Sequence, residues 1–146
     1  MKERWWTYPA VADNGKTIIV TARDGMQPLI DKGKHRYRID VDWDYTPLPD
    51  GMPSDEDAKL MGEATDAMIE TFAKDPVAVM TGIYTGDGRR TWVFYAKSLG
   101  VFGNVFNRAL ADLPQMPLLI EASEDPGWEE YLHTKSETYI PEDDTE

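Results

Sequence analysis

The chain has 146 residues, with 15 Lys and Arg against 27 Asp and Glu, two His and no Cys, for a net charge of −12 at pH 7. That length suits one domain, and the missing cysteines exclude a disulfide scaffold, a thiol nucleophile and any Cys-ligated metal. The acidity is uneven, since residues 1–47 hold 8 basic and 7 acidic side chains and residues 48–146 hold 7 and 20. Such a field repels a phosphate backbone, which disfavours direct nucleic-acid binding and favours a cationic partner.

The first six residues, Met1-Lys2-Glu3-Arg4-Trp5-Trp6, lack the apolar segment of a signal peptide. No run approaches the ~18 apolar residues of a membrane span, so a cytoplasmic protein without membrane association is expected. Trp5 to Ala12 and Lys16 to Arg23 then form a predicted hairpin turning at Asp13-Asn14-Gly15. Residues Asp24 to Lys34 mix Gly, Pro and charge and read as a loop.

From His35 to Tyr45 the sequence alternates. His35, Tyr37, Ile39, Val41, Trp43 and Tyr45 fall on one face, and Arg36, Arg38, Asp40, Asp42 and Asp44 on the other, the period-two signature of a half-buried strand. The proline-rich stretch Pro47 to Pro53 ends it. Ser54, with Asp57 three residues on, opens a predicted helix with an apolar stripe of Met61, Ala64, Met68 and Phe72, stopped by Asp75-Pro76.

Val77 to Lys97 reads as two strands joined at Gly86-Asp87-Gly88, where Asp-Gly accepts the positive φ of a tight turn. Its second strand contains the two-sided apolar run Thr91 to Ala96 and should lie centrally in a sheet. A helix is expected from about Asn104 to Leu113, with Gly100 and Gly103 in the loop before it, then a short strand at Leu118 to Ser123. Asp125-Pro126 places a natural N-cap before a helix of about two turns carrying Trp128, Tyr131 and Leu132.

The expected architecture is therefore an α+β, ferredoxin-like βαββαβ sandwich preceded by an N-terminal hairpin and followed by a short C-terminal helix. Residues 1–133 form the domain and 134–146 an acidic tail. Two helices should cover one face of the sheet and leave the other open, showing Arg89, Thr91, Val93, Tyr95 and Lys97.

No local pattern carries catalysis. Asp40, Asp42 and Asp44 lack the spacing of a calcium loop and are expected as a solvated face paired with Arg or Lys, not a metal site. His35 and His133 share no zinc spacing, and neither Ser98 nor Ser123 sits in a nucleophile elbow. Gly86-Asp87-Gly88 is a turn, not a dinucleotide loop. Arg89 or Arg90 is the candidate anion clamp, with Tyr95 as its hydrogen-bonding wall, because guanidinium forks match carboxylate and phosphate.

Several pieces together resemble the bacterial domain-of-unknown-function 695 family: the Trp-rich first strand, the capped helix after a proline-rich loop, the Arg90 to Tyr95 spacing, and Asp125-Pro126-Gly127-Trp128-Glu129-Glu130-Tyr131. The family's recurring positions fall on Trp5, Arg90, Tyr95, Asp125 and Trp128. Its architecture resembles that of the regulator of ribonuclease activity B, an acidic ferredoxin-like inhibitor, and that likeness implies a regulatory binding role. A non-enzymatic domain meeting a basic protein partner is the first expectation, with no cofactor. A small anionic ligand on the open sheet face, possibly with catalysis, is the second.

Overall fold

The computed structural model describes residues 4–140. Six strands, β1 (Trp5–Val11), β2 (Thr17–Arg23), β3 (Tyr37–Asp44), β4 (Ala78–Gly86), β5 (Arg89–Ala96) and β6 (Leu118–Glu124), form one antiparallel sheet in the order β1-β2-β4-β5-β3-β6. Four helices complete the α+β fold: α1 (Gln27–Lys32), α2 (Asp55–Lys74), α3 (Leu99–Ala109) and α4 (Glu129–Thr138).

The strand predicted to be central is central. β5 is flanked by β4 and β3 and is buried from Trp92 to Ala96. At the β4–β5 turn Asp87 and Gly88 take φ of 52° and 86°, the paired positive values of a type I′ turn, whose twist matches that of the strands. Gly86 is required for another reason: a Cβ there would lie 2.4 Å from the Thr17 carbonyl oxygen, so β2 crosses too close for any side chain.

The main core lies between the sheet and helices α2 and α3. Ile39, Val41 and Trp43 of β3 and Trp92 and Phe94 of β5 meet Met61, Ala64, Met68 and Phe72 of α2 and Phe102, Val105 and Phe106 of α3. The α2 N-terminus is capped as the sequence predicts, Ser54 Oγ accepting from Asp57 N at 3.2 Å.

Three expectations are corrected. The stretch from Asp24 to Lys34 contains α1, bracketed by Pro28 in its first turn and by Gly33, which takes the left-handed conformation as C-cap. Helix α3 begins five residues before the expected Asn104, because Ser98 caps it by accepting from Val101 N; Gly100 and Gly103 are thus helical. Most consequential, the second sheet face is open only in part. Trp6, Ala22, Val93 and Tyr95 on that face are buried beneath Met26, Trp128 and Tyr131, forming a second core under α4.

That second core explains why α4 runs past Thr134, the expected start of the tail. Thr138 Oγ1 accepts the buried Trp6 indole N–H at 2.9 Å, and Tyr139 donates to Asp24 at 2.9 Å. The rest of the tail, residues 141–146, lies outside the described residues.

Candidate functional site

Strand alternation sorts the six sequence-selected residues onto two faces. Tyr95 and Arg89 lie on the α4 face with Trp128 and Asp125. Arg90 and Trp5 lie on the α2/α3 face, where Trp5 packs on the main core. Arg89 and Arg90, adjacent in sequence, point in opposite directions and cannot close on one anion. A clamp formed by both arginines together is excluded on that ground.

Each arginine has its own setting. Arg89 holds Asp44 with two hydrogen bonds, Nε to Oδ1 at 2.6 Å and Nη2 to Oδ2 at 3.2 Å, and its Nη1 is 3.8 Å from Asp42. Arg90 lies against the Trp92 ring at 5.4 Å, and its buried Nε has no hydrogen-bond partner. Burial pushes its pKa down, with the nearby Tyr45 opposing.

Tyr95, Asp125 and Trp128 form one unit. Tyr95 donates to Asp125 Oδ2 at 2.7 Å, and the same carboxylate accepts the N–H groups of Glu129 and Glu130 at 2.9 and 3.1 Å. Asp125 thereby caps α4 from four residues upstream, not from the adjacent N-cap position expected in the sequence. Burial pushes its pKa up, but the Tyr95 hydroxyl and the two N–H groups outweigh that and hold it below the ordinary value. Trp128 is fully buried, stacks on Tyr95 with ring centroids 4.1 Å apart, and donates its indole N–H to the His35 carbonyl at 2.8 Å. It also takes φ of 57°, a strained backbone for a bulky residue that this packing holds in place.

A model of a protein family, described as "Family of unknown function (DUF695)", matches residues 3–134. The chain belongs to the DUF695 family. No curated protein and no solved structure matches it. In this DUF695 domain the motif residues Tyr95, Asp125 and Trp128 are thus a lock that fastens α4 to the sheet.

Beside the lock, α4 leaves part of the sheet face uncovered. A trough of about 390 Å³ runs there, with Arg38, Asp40, Arg89 and Thr91 on its floor, Tyr84 at one side and Glu130 of α4 at its wall. Arg38 is held between Asp40 at 2.9 Å and Glu130 at 3.2 Å, while Thr91 donates to the buried Asp42 at 2.6 Å. Glu121 of β6 lies close enough to Arg89 to raise its pKa, an effect led by the Asp44 hydrogen bond. Arg38 and Arg89 cancel Asp40 and Glu130 in the trough's own lining, and Asp42, Asp44 and Glu121 on the sheet face beside Arg89 bring the charge of the whole patch to −3.

Sequence alternation placed Arg38, Asp40, Asp42, Asp44, Arg89 and Thr91 on one face. Glu121, Tyr84 and Glu130 were missed, since β6 and α4 reach this face through tertiary packing that no local pattern encodes. Among the described residues no group of three or more His, Asp or Glu is placed to share a metal ion, and no helix is long and apolar enough to cross a membrane.

Proposed function

We propose that this domain is a non-enzymatic, cytoplasmic binding or regulatory module whose acidic trough receives a basic segment of a protein partner. The observation that carries the reading is the trough itself. Its charges converge from β3, β5, β6 and α4, three elements of which are fixed in one rigid sheet, and the surplus is anionic. Arg38 and Arg89 are already neutralised by Asp40, Glu130 and Asp44, so an incoming Lys or Arg meets net negative potential. Burial fixes Asp42, while Asp44, paired with Arg89, stands exposed at the rim.

The finer fold reading belongs with this proposal. Within the sheet, the order β4-β5-β3-β6 together with α2 and α3 on one side supports a ferredoxin-like split βαβ core, to which the β1–β2 hairpin adds two strands and α4 a second layer. Such a core presents a rigid face, and rigid faces suit recognition with little ordering cost.

The test is a triple charge reversal, Asp44→Lys/Glu121→Lys/Glu130→Lys, at three exposed positions. Affinity capture from cell lysate at low salt should recover a basic protein with the wild-type domain, lose it with the triple variant, and lose it as ionic strength rises. Recovery of the same partner by the triple variant in equal yield removes the trough from the account.

A further inference from the structure

A second concavity lies at the opposite end of the sheet from the β4–β5 turn. β2 pairs with β4 only from Ile19–Ala22 against Thr85–Gly82, and the β4–β5 register shifts between Met80 and Gly82. Past Ala22, Arg23 still pairs with Trp5 of β1 but β2 no longer pairs with β4, so the β2-facing edge of Ala78–Met80 has no strand partner among the described residues. The resulting crevice measures about 410 Å³, within the range of small-molecule sites.

Its chemistry is two-sided. Leu29 of α1, Ile69 and Phe72 of α2 and Val79 and Met80 of β4 make apolar walls. Arg23, Lys97 and His35 supply the polar lining. Lys97 is exposed and has no ion pair among the described residues. His35 is only 6% exposed, and its Nδ1 is buried without a hydrogen-bond partner. Burial lowers the His35 pKa, and the charges of Lys97 and Lys32 lower it further, which puts both lysines within electrostatic reach of the ring. A cationic rim over an apolar slot stands out in a chain of net charge −12.

We propose that this crevice is a binding site for a monoanionic amphiphile of the medium-chain carboxylate class, the apolar body lying between α1, α2 and β4 and the carboxylate meeting Lys97. The site is separate from the acidic trough and does not depend on the trough's role. Three features select such a ligand: the apolar walls reject a small hydrated anion, the cationic rim rejects an amine, and the unpartnered His35 nitrogen gains a partner when an oxygen acceptor or donor approaches.

Decanoate is the probe, titrated by calorimetry and by amide chemical-shift mapping of the full chain, with decan-1-ol as its uncharged counterpart. The expected result is one-to-one decanoate binding with shifts at Leu29, Ile69 and Val79, and decan-1-ol at least about tenfold weaker because it lacks the charge-assisted contact. Lys97→Glu should weaken decanoate about tenfold or more. Ala73→Trp, at an exposed position on the crevice lining, should block both ligands without unfolding the domain. Absence of decanoate binding overturns the proposal, as do equal affinities for acid and alcohol, unchanged affinity in Ala73→Trp, or shifts confined to the trough. Should Lys97→Glu fail to fold, Lys97→Met tests the same charge, and unaltered selectivity for the acid over the alcohol in that variant contradicts the assigned rim.

Discussion

Tyr95 shows how one hydroxyl joins two parts of the chain. It donates to Asp125 and accepts from the N–H of Tyr131 at 3.3 Å, so its hydroxyl is engaged both as donor and as acceptor. Burial, then the Asp125 hydrogen bond, pushes its pKa well above the ordinary tyrosine value. Tyr95→Phe should therefore cost about 1–3 kcal/mol in urea unfolding, since it strips the Asp125 carboxylate and a buried N–H of one partner. Trp128→Ala should cost more, about 3–5 kcal/mol, by emptying the site between Tyr95, His35 and Tyr131. A Trp128→Ala domain as stable as wild type would contradict the lock. The sequence made Asp125 and Trp128 legible as helix starter and anchor, because a capping residue and a large aromatic carry local signals. Nothing local tied them to Tyr95 thirty residues earlier, and that contact depends on which sheet face α4 covers.

Elements with strong periodicity were legible, and those set by caps or by long-range packing were less so. β3 alternates over eight residues and α2 repeats its stripe from Met61 to Phe72, about three turns, so each dictates its own face. α1 has six residues and no buried side chain of its own, leaving only Pro28 and Gly33 as signals. α3 was misplaced because two glycines read as a loop, whereas Ser98 had already capped the helix ahead of them. The C-terminal segment illustrates the same point: its polar composition reads as a tail, yet Thr138 satisfies Trp6 across 132 positions of sequence. Truncation after His133 should thus destabilise the domain by at least about 1–3 kcal/mol, the cost of leaving the buried Trp6 N–H unpaired, and urea unfolding of the truncated chain measures it. Gly86→Ala should also destabilise, because backbone of β2 and not a movable side chain occupies the space of the new methyl group.

At the scale of the whole molecule, His35, Asp125, Tyr95 and Tyr131 impose titrating constraints of definite sign. His35 has a lowered pKa, caused by burial first and then by Lys97 and Lys32, so its contribution is complete above the unfolded value of about 6.5 and is lost as pH falls below it. Asp125 is also lowered in the native state, which adds a further loss on acidification below about pH 4. Tyr95 and Tyr131 are raised, burial being the first cause in each, so their contribution is complete below about pH 10 and is lost as pH rises beyond it. Urea midpoints across pH should form a plateau between about 6.5 and 10 with a decline on both sides. In a tyrosinate absorbance titration, Tyr95 and Tyr131 should ionise only as the domain unfolds; their ionisation near pH 10 in the folded state would contradict the buried lock.

The same scale holds the central claim, that the carboxylate surplus on the uncovered half of the sheet is where a basic protein docks. Zero-length carboxyl-to-amine cross-linking of the captured complex, followed by mass spectrometric mapping, tests it most directly. Cross-links from partner lysines to Asp44, Glu121 and Glu130 are the predicted result. Cross-links confined to the outer face of α2, at Glu63, Asp66 and Glu70, would place the partner on the opposite side of the molecule and contradict the account.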